Sequence, residues 1–188
     1  MKKVLMLFLL LITGLITAQE TEFKFTKDGF TDYVVGTIPN KTANELYKKA
    51  LDWVSVTYNN PKEVIKAQIE NDYIRIEGSE SNMLCIKTLG MMNCSNGRYQ
   101  IEISFKDGKY KFDVIKLEQY LKPSQYSVIS GWTEVGIGLT NPYYKENGDL
   151  RSIYKLYPEA IETKFNNLNT SLNEFLKSDN IPSKKSEW

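Results

Sequence analysis

Ile101-Glu102-Ile103-Ser104-Phe105-Lys106-Asp107-Gly108-Lys109-Tyr110-Lys111-Phe112-Asp113-Val114 is the stretch that decides the fold. Apolar and polar residues alternate on either side of Asp107-Gly108, a dipeptide suited to two-residue hairpins because both positions tolerate left-handed backbone. A turn there sets Phe105 opposite Tyr110, Ile103 opposite Phe112 and Ile101 opposite Val114, while Glu102, Ser104, Lys109 and Lys111 point the other way. One greasy face and one wet face define an antiparallel sheet covered on a single side. A second hairpin, turning at Asn71-Asp72, is expected to pair Ile69 with Ile74 and Ala67 with Ile76, and Lys66 with Glu77 and Gln68 with Arg75 on the reverse. Register is a strict test, because a slip of one residue sends every side chain to the wrong face.

Working outward, Phe30 to Ile38 reads as a further strand ended by Pro39-Asn40. Thr42-Ala43-Asn44-Glu45 is a capping-box pattern, and Leu46, Ala50, Trp53, Val54 and Thr57 follow at helical spacing until Asn59-Asn60-Pro61. A second helix starts around Pro158, with Ile161, Phe165, Leu168, Leu172 and Phe175-Leu176 on one stripe. These elements predict an α+β fold: an antiparallel sheet with two helices on one face, and a long loop insertion at about 120–149. Residues 19–178 are expected to form one domain and 179–188 a loose tail.

The composition is that of a globular chain: 188 residues, 41% hydrophobic, 25% charged, with 24 basic and 23 acidic side chains and no histidine. The missing histidine removes the commonest general base and transition-metal ligand near neutral pH. Met1-Lys2-Lys3, the apolar run Val4 to Ile16 and the small residue Ala18 read as a secretory signal over residues 1–18, cut to leave a periplasmic or extracellular protein. The run is shorter than the roughly 20 residues of a spanning helix, so no membrane span is expected after cleavage; an uncleaved anchor is the alternative. Losing Lys2 and Lys3 takes the net charge from +1 to about −1, which exerts no long-range pull on phosphates.

Export changes how Cys85 and Cys94 read, because thiols pair outside the cytoplasm. If Leu89-Gly90 is a turn, the two cysteines face each other and can bridge; on one uninterrupted strand they would be roughly 30 Å apart. Asn96-Gly97 competes as the turn, so bridged and free readings both stand.

The order strand, helix, antiparallel strands, helix resembles an exported family of Bacteroidota, the domain of unknown function 4468, described as having a TATA-binding-protein-like fold. The resemblance rests on the helix carrying Trp53, the strands after Pro61 and the hairpin Lys106-Asp107-Gly108-Lys109-Tyr110-Lys111, and spans roughly Gly29 to Leu117. It implies a fold and brings no activity, substrate or catalytic residue. The fold name suggests DNA, but a groove binder needs a basic surface, and Lys109 and Lys111 here alternate with Glu102 and Asp113. Nucleic acid is therefore not an expected partner.

No nucleophile elbow, phosphate loop, dinucleotide fingerprint, zinc signature or calcium loop is present, so neither catalytic residues, metal nor cofactor is assigned. The 120–149 insertion is where function is expected, since long aperiodic loops are commonly functional. Its aromatics, Tyr126, Trp132, Tyr143 and Tyr144, form a candidate surface for an envelope protein or glycan. The competing use of such rings is to staple the loop to its own domain, with Ser127-Val128-Ile129 and Gly136-Ile137-Gly138-Leu139 adding an edge strand. The expected function is a non-catalytic binding or interaction module of the bacterial cell envelope. The alternatives are a hydrolase using carboxylates such as Glu134 and Asp149 or a Ser-Lys pair, and an assembly protein pairing through sheet edges. Oligomeric state is not legible.

Overall fold

The computed structural model describes residues 21–123, 129–138 and 142–178. In chain order these give β1 (Phe25–Thr26), β2 (Gly29–Phe30), β3 (Tyr33–Thr37), α1 (Ala43–Thr57), the short α2 (Pro61–Val64), β4 (Ile65–Ile69), β5 (Tyr73–Thr88), β6 (Met91–Lys106), β7 (Lys109–Leu121) and β8 (Gly131–Glu134). A 3-10 turn at Ser152–Tyr154 then leads into α3 (Tyr157–Lys177). The main sheet is antiparallel in the order β3-β7-β6-β5-β4, and β8 joins the far end of β7. The fold is α+β, with α1 and α3 on one face of the sheet.

The β6–β7 hairpin has the register its alternation dictates: Phe105 faces Tyr110, Ile103 faces Phe112 and Ile101 faces Val114, around Gly108 at φ +74°. All six of those side chains are buried. The extra residue Ile115 then bulges out of β7, so that Leu117 rather than Lys116 returns to the dry face beside Tyr99.

The β4–β5 hairpin departs from expectation. Its loop holds three residues, 70–72, so Ile69 pairs with Tyr73 and Gln68 with Ile74, one step from the sequence-based register, and Ile69 is 52% exposed. The cause is tertiary. Asn71 is held left-handed at φ +65° while its side-chain oxygen accepts from Asn44 Nδ2 of α1 at 2.7 Å, and Asp72 O accepts from Phe105 N. A bulge between Ile65 and Ala67 shifts the register once more, so that Ile76 pairs with Ile65 rather than with the expected Ala67, which pairs with Arg75, while Lys66 reaches Glu77 at 3.4 Å. The first strand is also shorter than expected: Phe30 belongs to the small β1–β2 hairpin, and β3 covers Tyr33–Thr37.

Beyond Gly97, β6 leaves β7 and continues with β5 as a two-stranded ribbon. The ribbon turns at Leu89-Gly90, both at positive φ, so Cys85 faces Cys94 and their sulfurs are bonded. Asn96-Gly97 is not a turn. There the ribbon is irregular, residues 81–83 being set against Asn96, and a Cβ on Gly97 would lie 2.4 Å from Met83 Sδ. A lone pair of strands is marginal in water. The bridge, closing a separation of nine residues, stabilises this one by limiting its unfolded freedom, by about 2.5–3 kcal/mol.

The stripe expected on α3 is buried as read, whereas on α1 the last expected member, Thr57, is exposed and Tyr47 joins the buried face instead. Thr42 and Glu45 form a complete capping box at the start of α1, which buries Leu46, Tyr47, Ala50, Trp53 and Val54. The α3 stripe buries Ile161, Phe165, Leu168, Leu172, Phe175 and Leu176, and Trp53 Nε1 donates to Ser171 Oγ at 3.0 Å to tie the helices together. Phe23, Phe25 and Phe30 close the core from the N-terminal side. Phe23 N donates to Asn166 Oδ1 at 2.8 Å, Asn166 Nδ2 donates to Phe23 O at 2.9 Å, and Phe25 N donates to Glu162 Oε1 at 2.6 Å.

Candidate functional site

The face of the sheet turned away from the helices carries β7 and β8 side by side. Tyr120 pairs with Trp132 and Glu118 with Glu134, and on the other flank Glu118 pairs with Arg98 of β6. Trp132 is 38% exposed, with the Tyr120 ring edge-on at 5.4 Å and the Arg98 guanidinium 4.5 Å above its centroid. Arg98 Nε donates to Glu118 Oε2 at 2.8 Å, and Lys116 Nζ lies 2.9 Å from Glu118 Oε1. Arg98 is thus fixed between a carboxylate and a ring, which makes Trp132 a rigid platform in a polar setting.

Glu118 is the buried acid in this arrangement. The hydrogen bond from Arg98, supported by Lys116, holds its carboxyl below the usual carboxylate range against the opposing effect of burial. A depressed folded value means its stabilisation is complete above the ordinary carboxylate range and lost as pH falls through the folded value. Glu118→Gln is therefore expected to lower stability by about 1–2 kcal/mol at pH 7 and by much less near pH 3. Urea unfolding of both chains at the two pH values measures this; an equal gap at each would refute the ion-pair account.

The other rings singled out by sequence are used differently. Tyr143 is buried, with ring centroids of Tyr154, Tyr157 and Phe25 at 5.0, 5.3 and 5.6 Å, and burial pushes its hydroxyl up to about 12. The Tyr144 hydroxyl donates to Phe25 O at 2.7 Å. Both staple the insertion to the core, on the side of the sheet away from Trp132. Tyr126 lies outside the described residues. Among the described residues the edge strand of the insertion is Gly131–Glu134, and Leu139 of the second expected stretch lies outside them. Ser127 and Val128 lie outside the described residues, and Ile137 instead accepts a hydrogen bond from Phe30 N. Glu134 stands on the open sheet face, whereas Asp149 is taken up in a turn with Asn147.

Two features escaped sequence reasoning. Arg98 shares a face with the Tyr120–Trp132 pair only because of the bulge at Ile115, and nothing in the spacing marks it. A cleft of about 590 Å³ also opens between the ribbon and α3, lined by Met83 and Met92 on one side and Leu156, Ala160 and Leu168 on the other. Lys164 crosses its edge to Glu80 at 2.5 Å, over the Tyr99 ring at 5.2 Å. Among the described residues no group of three His, Cys, Asp or Glu side chains could hold a metal ion.

Residues 33–119 match the family model described as "Domain of unknown function (DUF4468) with TBP-like fold". Those residues belong to the DUF4468 family. A solved DUF4468 protein from Bacteroides ovatus superposes with a TM-score of 0.62 at 12% identity, covering 90% of this chain and 96% of that one. A TBP-like protein from Parabacteroides distasonis gives a TM-score of 0.55 at 14% identity, over 78% and 91% of the two chains. At such identities these neighbours establish the TBP-like fold of this chain and nothing of its chemistry. No curated protein matches it.

Proposed function

We propose that the protein is an exported, non-catalytic binding module of the bacterial cell envelope, and that its ligand surface is the open sheet face around Trp132. The observation that carries this reading is the Trp132 ring itself, held between Tyr120 and Arg98 on a face that no described helix covers. An ordered, half-exposed tryptophan flanked by charged hydrogen-bonding groups suits the apolar face and hydroxyl rim of a sugar ring, so a cell-wall glycan is the ligand class favoured. Nucleic acid is disfavoured, because cations of this face are already neutralised: Arg75 by Glu102 at 2.8 Å, Arg98 by Glu118 at 2.8 Å and Lys111 by Asp113 at 3.0 Å.

Titrating the protein with cell-wall fragments while following tryptophan emission is expected to shift the signal and raise the melting temperature. Trp132→Ala, made in a Trp188→Phe background so that the other remaining tryptophan is the buried Trp53, should abolish both responses. A titration that leaves emission and thermal stability unchanged would remove the support for this surface.

A further inference from the structure

We propose that the tip of the ribbon, Leu89 with Met91 and Met92, is an apolar wedge that inserts into the surface of a lipid bilayer and seats the protein there without crossing it. Leu89 has φ +51° and is 93% exposed. Asparagine or glycine adopts that conformation at lower cost, and a branched hydrocarbon exposed to water contributes nothing to folding. Neither the turn nor the core gives a reason for leucine at this position. Met91 and Met92, 64% and 62% exposed, pair with Thr88 and Lys87. Successive strand residues point to opposite faces, so the two methionines stand on either side of the ribbon with Leu89 at its apex.

The resulting apolar surface faces three ways: Met92 on the side of the ribbon that borders the cleft against α3, Met91 on the opposite side and Leu89 at the end. A flat protein partner covers one of those sides, whereas a fluid acyl layer closes around all of them. The charge agrees with a lipid surface. From Ser81 to Asn96 the sequence has no Asp or Glu and a single cation, Lys87, directly across the ribbon from Met92. Its stem lies along the apolar tip while its ammonium reaches headgroup phosphates. The Cys85–Cys94 bridge fixes the strands that carry the tip, so the wedge is presented without an ordering cost on contact. No described helix is long and apolar enough to span a membrane. The proposal stands apart from the Trp132 surface, which lies at β8 on the main sheet.

The test is co-sedimentation of the full chain with vesicles of phosphatidylethanolamine and phosphatidylglycerol, compared with Leu89→Asn. That substitution removes the hydrocarbon and supplies a residue that favours the turn, so the variant folds at least as stably as the parent. Residues 1–18 are common to both chains, and the difference between them reports the tip. Partition of Leu89→Asn is expected to fall about tenfold. A reporter introduced as Met92→Trp is expected to be quenched by acyl-chain-brominated lipid. Equal partition of the two chains overturns the proposal, as does an unquenched reporter or association only with a protein partner.

Discussion

Phe165→Ala is expected to lower the free energy of unfolding by about 3–5 kcal/mol, a large part of what a domain of this size possesses. Phe165 is fully buried where three parts of the chain meet, its ring 6.1 Å from Phe23, 5.7 Å from Phe30 and 5.6 Å from Tyr99. Truncation opens a cavity that cannot collapse, because each neighbour is anchored elsewhere. Phe23 is held by the Asn166 clip, and Tyr99 by β6 and its hydroxyl contact with Tyr58 at 3.3 Å. Urea unfolding gives the value directly. A loss below about 1 kcal/mol would show that the N-terminal aromatics and α3 do not share one core.

Gly36→Ala carries the second large effect, about 3 kcal/mol, for the opposite reason: one methyl too many. A Cβ at Gly36 would sit 2.2 Å from Tyr110 Cε1. The ring cannot swing aside, because its hydroxyl donates to Asn169 Oδ1 at 2.8 Å and accepts from Asn173 Nδ2 at 3.1 Å, both on α3. Burial at this spot pushes that hydroxyl up to about 12. The explanation is checked by a double-mutant cycle. In a Tyr110→Leu background the ring is gone, the added methyl has space, and Gly36→Ala should cost about 2 kcal/mol less than in the parent. Equal costs in both backgrounds would place the strain somewhere other than the ring.

The parts of the fold that were legible in sequence are those governed by local pattern. Alternation around Asp107-Gly108 gives the β6–β7 register, and the Thr42–Glu45 box gives the start of α1, because both signals lie within a few residues of the structure they specify. The β4–β5 register was not legible, since the three-residue turn depends on Asn44 reaching Asn71 from another element. The candidate site divides along the same line. Trp132, Tyr143 and Tyr144 are alike as aromatic residues in a long insertion, and spacing cannot sort them. What sorts them is the return of the N-terminal segment, which gives Phe25 to Tyr143 and Tyr144 and leaves Trp132 with the cation of β6. The cysteines sit between these cases: the sequence supplied two turns, and the choice between them fell to Met83 packing over Gly97.

The clip between Phe23 and Asn166 has a practical corollary. The matched family segment, 33–119, contains β3 to β7 of the sheet, β7 short of its last two residues, but neither β8, the three N-terminal phenylalanines nor α3. Excised at those limits, the chain would keep α1 on the sheet but lose α3 and the Phe23 ring that lies 5.6 Å from Phe112, and the half of the underside they cover would face water and favour aggregation. The smallest autonomous piece has to begin upstream of Phe23 and run to the end of α3, so the border of relatedness and the border of cooperative folding fall in different places.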